Sequence, residues 1–276
     1  MNENPEIGRS LQASGLRTNY HDVGSGPPVV FIHGSGPGVT AWANWRTVIP
    51  ELARDFRVIA PDIAGFGYTE RKAGVRYDLD FWVNHLLGLL DALGIERTSI
   101  VGNSFGGGLA LALATREPKR VERLVLMGSA GVSFPLTPGL DLVWGYTPSL
   151  ELMSRMLPMF VYDKSLARED LIRMRFEASQ RPGYQETYGA MFPAPRQRCV
   201  DALTSPREKI AALQQETLIL HGRDDAIIPL ESSIDLHRLI SRSQLHVFGR
   251  CGHWTQIEQG ARFCRLVSEF LREARS

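Results

Sequence analysis

The chain has 276 residues, 43% apolar and 9% aromatic, enough for one fully cored domain carrying an insertion. Its 31 Lys and Arg nearly cancel its 30 Asp and Glu, and the net charge of +1 excludes a broad field for nucleic acid or a lipid surface. Residues 1–10 are polar, no stretch approaches the roughly 20 apolar residues of a membrane helix, and the cysteine spacing fits no metal site, so a soluble cytoplasmic protein is expected.

In chain order, short β-branched runs at 28–33, 56–60, 98–101, 121–127, 217–221 and 244–248 alternate with helical patterns. That rhythm predicts an α/β fold with a mostly parallel sheet. Phe81, Leu86, Leu89, Leu90 and Leu93 recur at helical spacing, as do Leu109, Ala112 and Leu113, so each helix is expected to cover a sheet face. The alternation stops between about Val132 and Pro206, where Met153, Met156, Met159, Met174 and Met191 mix with Trp144, Tyr146, Phe160, Phe176 and Phe192. Residues 135–206 are read as a helical cap between the core segments 1–134 and 207–276, with prolines at both boundaries. Most of the methionines read as adaptable core filling.

Gly102-Asn103-Ser104-Phe105-Gly106 follows an apolar strand and precedes a helical run, the setting of a nucleophile elbow. The glycines suit a tight turn in which side chains would collide, with the Ser104 hydroxyl projecting into a cleft. Taken alone, the five residues also describe a glycine-rich turn with a spectator serine. His221-Gly222-Arg223-Asp224-Asp225 ends a later strand, and either aspartate lies where it can orient a histidine. The usual serine-hydrolase spacing, three residues past glycine with a proline (Pro229) soon after, selects Asp225 as the acid. Gly249-Arg250-Cys251-Gly252-His253-Trp254 follows the last strand, and the order Ser104, Asp225, His253 is the α/β-hydrolase order. His253 is then the base and Asp225 fixes its tautomer. The other histidines read as structural, and Cys251 as a buried thiol rather than a nucleophile.

The loop His33-Gly34-Ser35-Gly36-Pro37-Gly38 lets backbone approach a substrate, with Ser35 and Phe105 as the expected oxyanion donors. It is no P-loop, because no Lys-Ser/Thr follows.

These segments, with Trp42-Ala43-Asn44-Trp45, Gly106-Gly107-Gly108 and Cys251-Gly252-His253-Trp254, resemble the carbon-carbon bond hydrolases that cleave ring-opened meta-cleavage products of catechols. The resemblance spans nearly the whole chain and is greatest to the branch acting on 2-hydroxymuconic semialdehyde. It implies a small 2-hydroxy-6-oxo-hexa-2,4-dienoate substrate, no metal, no organic cofactor, and a homo-oligomer of two or more chains. By position it also implies that Arg175, Asn44 and Asn103 hold the polar end of the substrate, beside Gly36. Trp254 is then an aromatic wall, and Ala130, Trp144 and Ile227 bound a modest terminal group. Arg175 lies beside Arg173 and Glu177, a pattern equally typical of a solvated helix. Three rival readings are a general carboxylesterase, an aspartate-nucleophile hydrolase disfavoured by Ser104, and a ligand receptor on a retired hydrolase scaffold.

Overall fold

The computed structural model describes residues 4–72 and 74–273. Eight strands form one sheet: β1 (Arg9–Ala13), β2 (Leu16–Val23), β3 (Pro28–Ile32), β4 (Arg57–Pro61), β5 (Thr98–Asn103), β6 (Val121–Met127), β7 (Glu216–Gly222) and β8 (Ser243–Phe248). Their order is β1-β2-β4-β3-β5-β6-β7-β8. All pairs from β4 through β8 are parallel, whereas β1-β2 and β2-β4 are antiparallel.

The six expected strands are present. The added hairpin β1-β2 lacks an apolar run because Thr18, Asn19 and His21 are themselves buried. Its turn carries a local signal, Ser14-Gly15, both at positive φ (49° and 76°), as a tight two-residue hairpin requires.

Alternation along the strands divides the interior. Val29, Phe31, Val125 and Met127 face one core with Phe263, Val267 and Phe270 of the helix Gly260–Arg272. Val30, Ile32, Leu124 and Leu126 face the other, with Trp82, Leu86 and Leu89 of the helix Leu79–Ala92. That helix starts at Asp78, whose carboxylate caps the Phe81 amide at 3.0 Å. The helix Phe105–Arg116 differs from the expected one-sided pattern. It is buried on every side from Phe105 to Ala114, which its run of glycines, alanines and leucines permits.

Between β6 and β7 the described residues form helices and no strand. The main ones are Pro138–Trp144, Leu150–Met156, Glu169–Ser179, Tyr184–Met191 and Gln197–Ala202. The first begins at Thr137, which caps the Leu140 amide and donates its hydroxyl to the Ile227 carbonyl at 2.7 Å, tying the insertion to the segment after β7. Met153, Met156 and Met191 are core, but Met174 is 41% exposed. Among the described residues no helix is long and apolar enough to cross a membrane.

Candidate active site

Ser104 stands between β5 and the helix Phe105–Arg116 at φ 56° and ψ −119°, a conformation unfavourable for a residue with a Cβ. The turn is held from both sides. The Ser104 amide donates to the Met127 carbonyl at 2.8 Å, and its carbonyl accepts from Ala130 at 3.0 Å. A Cβ on Gly102 would lie 2.5 Å from the Gly106 carbonyl oxygen, and one on Gly106 would lie 2.4 Å from that of Ile32. Both glycines are therefore obligatory for this elbow.

His253 Nδ1 meets Asp225 Oδ2 at 2.6 Å, and both side chains are almost wholly buried. Asp225 Oδ1 accepts from the amides of Ile227 (2.7 Å) and Ile228 (3.0 Å). Burial alone would raise the Asp225 pKa, but His253, then His221 and the Ile227 amide, outweigh it and hold the carboxyl below its ordinary range. Asp224 instead accepts the Cys251 amide and pairs with exposed Arg223, so of the two aspartates it is Asp225 that meets His253. Beneath the pair lies Gly128, at φ 49°, where a Cβ would sit 3.1 Å from Asp225 Oδ2 and 3.2 Å from His253 Nδ1. No sequence signal marked it. His221 also lies beside the acid: its Nε2 is 3.4 Å from Asp225 Oδ2 and donates to the Ile228 carbonyl, while Nδ1 accepts from Ser233. Burial lowers its pKa, so it stays neutral and structural. Cys251 is fully buried and its thiol pKa is pushed upward by burial, consistent with an inert role.

The loop 33–38 faces Ser104. His33 is buried with its pKa lowered to about 4 by desolvation; Nδ1 donates to the Gly34 carbonyl at 2.7 Å and Nε2 accepts the Ile63 amide at 2.9 Å. It therefore shapes the turn as a neutral ring. Among the described residues the amides of Ser35 and Phe105 have no backbone or side-chain acceptor, as oxyanion donors require. Four side chains of the insertion strap this loop. Trp144 Nε1 donates to Ser35 Oγ (2.9 Å), Tyr188 to the Ser35 carbonyl (2.9 Å), and Arg175 Nη1 to the Gly38 carbonyl (2.9 Å). Tyr184 Oη accepts the Gly38 amide at 2.8 Å.

Ser104 and His253 open onto a cavity of about 250 Å³. Ser35, Gly36, Asn44, Asn103, Arg175, Ile227 and Trp254 line it too. Arg175 is 7% exposed and forms no ion pair with a carboxylate among the described residues, unlike its neighbour Arg173, which pairs with Glu169 on the solvent face. Burial lowers the Arg175 pKa to about 10, which leaves it charged at neutral pH. An unpaired buried guanidinium is a strong anion receptor.

Asn44 and Asn103 flank Gly34: Asn44 Oδ1 accepts its amide at 3.4 Å, and Asn103 Oδ1 lies 3.0 Å from where a Gly34 Cβ would stand. The Nδ2 atoms of both asparagines are buried without a partner. Asn44 rides on the short helix Ala41–Trp45, held by Thr40 and by Asp62, whose buried carboxylate accepts the Ala41 amide at 2.6 Å.

Ala130 and Trp144 do not line the cavity, contrary to expectation. Ala130 lies behind the elbow, bonded to the Ser104 carbonyl, and Trp144 is stacked on Phe192 at 4.6 Å while its nitrogen holds Ser35. The apolar lining instead includes Leu140, Val143, Met156, Leu157 and Phe160, which sequence patterning could not separate from other core residues of the insertion.

Residues 27–173 and 174–259 match the alpha/beta hydrolase fold family. The chain is 62% identical over 270 residues to a 2-hydroxymuconate semialdehyde hydrolase of Pseudomonas sp. strain CF600, covering 98% of this chain and 95% of that one. The chain belongs to the meta-cleavage product hydrolases. A 2-hydroxy-6-oxo-2,4-heptadienoate hydrolase of Pseudomonas putida is likewise 62% identical, over 98% of both chains. Among solved structures, the meta-cleavage product hydrolase CumD of Pseudomonas fluorescens IP01, a serine-to-alanine mutant complexed with acetates, superposes with a TM-score of 0.97. It shares 59% identity, with 99% of this chain and 100% of that one covered. Family membership fits a cavity that brings Arg175 together with Ser104 and the Asp225-backed His253.

Proposed function

We propose that this protein hydrolyses the C5-C6 bond of small 2-hydroxy-6-oxo-hexa-2,4-dienoates, such as 2-hydroxymuconic semialdehyde or its 6-methyl analogue. The products are 2-hydroxypenta-2,4-dienoate and a short carboxylic acid. The observation that carries this reading is the unpaired, buried Arg175 in the same cavity as Ser104 and His253. A neutral ester gives such a cation nothing to bind, whereas a dienoate brings a carboxylate at the end remote from its reacting carbonyl.

In this reading Arg175, Asn44 and Asn103 hold the carboxylate and 2-oxygen, and the apolar wall receives the C6 end. His253 relays the proton that converts the dienol to its keto form, giving the breaking bond an electron sink. Ser104, or water activated through His253, then attacks C6, and the Ser35 and Phe105 amides stabilise the oxyanion. Collapse breaks C5-C6 and leaves its electron pair on the dienolate, which takes up a proton. Water supplies the hydroxyl of the new acid. Asp225 holds the imidazole and stabilises its cation.

Residues 135–206 act in this proposal as the cap, and the protein works in the cytoplasm as a dimer or larger assembly. Its three free cysteines and the family resemblance support those two points.

The test is absorbance decay of 2-hydroxymuconic semialdehyde and its 6-methyl and 6-phenyl analogues, with a neutral aryl ester alongside. Rapid loss of the dienolate band, fastest for the small substituents, is expected. Brisk ester cleavage without that loss would make the protein an esterase.

A further inference from the structure

Glu258 lies outside the catalytic set, at the end of the short helix Thr255–Glu258, four residues beyond Trp254. Its carboxylate accepts three backbone amides from two separate segments. Oε1 takes those of Tyr162 (2.8 Å) and Asp163 (2.9 Å) in the insertion, and Oε2 takes that of Gly252 (2.5 Å), next to His253.

The two segments it joins lie backbone against backbone. A Cβ on Gly252 would stand 2.7 Å from the Phe160 carbonyl oxygen, and that oxygen accepts the Trp254 amide at 3.0 Å. The Phe160 ring stacks on Trp254 at 4.8 Å, lies 5.8 Å from the His253 ring, and lines the cavity. Charge-assisted bonds from a carboxylate to amides are stronger than neutral ones, and no other carboxylate accepts amides of both segments among the described residues.

We propose that Glu258 is a positioning residue that locks the His253 loop to the insertion segment 160–163, so that the base is aligned only when that part of the cavity wall is in place. This rests on the assignment of His253 as the base. Losing the clamp leaves Ser104, Arg175 and both asparagines in place, because none of them is bonded to Glu258. The polar end of the substrate is therefore still held, and the penalty falls mainly on the chemical step, with a smaller one on binding through Phe160 and Trp254, which line the cavity.

The experiment is a double-mutant cycle on the intact protein. It compares Glu258→Gln, which sets an amide group against a backbone donor, with His253→Ala and the combined variant. A residue acting through another has no further effect once that other is gone. The expected result is a kcat loss of about 10- to 100-fold for Glu258→Gln, with KM changed less than threefold and little residual-rate difference between His253→Ala and the double variant. Glu258→Ala, which removes the carboxylate without adding a donor, should show the same split if the glutamine variant folds poorly by thermal melting. Additive losses in the cycle, a loss confined to KM, or an unchanged kcat would overturn the clamp. If wild-type protein does not turn over dienoates, residual ester cleavage runs the same cycle, so failure of the substrate reading is distinguishable from failure of the clamp.

Discussion

Ser104 is fixed by the sheet and its glycines alone, whereas the loops facing it are fixed partly by the helical insertion. The elbow takes its hydrogen bonds from Met127 and Ala130, and its glycines pack against Ile32 and Gly107. The loop 33–38 is strapped by Trp144, Arg175, Tyr184 and Tyr188. The elbow is thus held by core elements, while the loop 33–38 and the Arg175 side of the cavity depend on how the insertion seats. Such a division lets one scaffold keep its chemistry while the insertion varies the substrate.

Substitutions can break that comparison at either side. On the core side, Ser104→Ala and His253→Ala should each lower kcat by about 10⁴-fold or more while thermal melting stays within a few degrees of wild type. Near-wild-type turnover by either, measured by dienoate absorbance, would remove it from the chemistry. On the insertion side, Arg175→Leu should lower kcat/KM for dienoates by about 10- to 100-fold, the worth of a charge-assisted contact. Neutral aryl esters should lose no more than the few-fold owed to the strap on the Gly38 carbonyl, and equal losses on both would assign Arg175 to the scaffold.

A smaller effect is expected at the strap. Trp144→Phe keeps the stacking on Phe192 but removes the donor to Ser35 Oγ, and should lower kcat by a few-fold, about 1 kcal/mol, on esters and dienoates alike. A loss restricted to large C6 substituents would mean that Trp144 shapes the pocket after all.

The mildest perturbation is pH, read as stability in denaturant titrations rather than as rate. Burial raises the Asp62 pKa to about 6, despite the amides of Tyr68 and Ala41 and the Asn19 side chain, which lower it. Between the unfolded value, near 4, and about 6 the folded state holds a proton that the unfolded chain has released, so Asp62 contributes a fall in stability as pH rises across that window. Asp225 acts in the opposite direction at lower pH. Its depressed pKa gives stability present above the unfolded value and lost as pH falls through the folded one. Asp62→Asn should flatten the slope between pH 4 and 6, and an unchanged slope would assign it to other groups.

How much of this was legible in the sequence follows the same division. Ser104, Asp225 and His253 sit at strand ends where local backbone constraints demand glycine, and such constraints leave a mark in a single sequence. Arg175 could be placed only by resemblance, because a helix with Arg173 and Glu177 as neighbours reads as solvated until the tertiary fold turns one face inward. Leu157 and Phe160 carried no signal, since burial against a cavity and burial against a core require the same residue types. Ala130 and Trp144 were expected in the wall but stand behind it, where a position inherited by resemblance says nothing of which atom meets the ligand. The hairpin β1-β2 carries little strand signal because several of its buried residues are polar, such as Thr18, which bonds to sequence-distant His85 at 2.8 Å.

The most direct measurement is product stoichiometry: formate and 2-hydroxypenta-2,4-dienoate released from 2-hydroxymuconic semialdehyde by the wild-type protein and by Ser104→Ala. The account predicts one formate per dienoate from the wild type and only background release from the variant. No formate from the wild type, or equal amounts from both proteins, would contradict serine-dependent carbon-carbon hydrolysis.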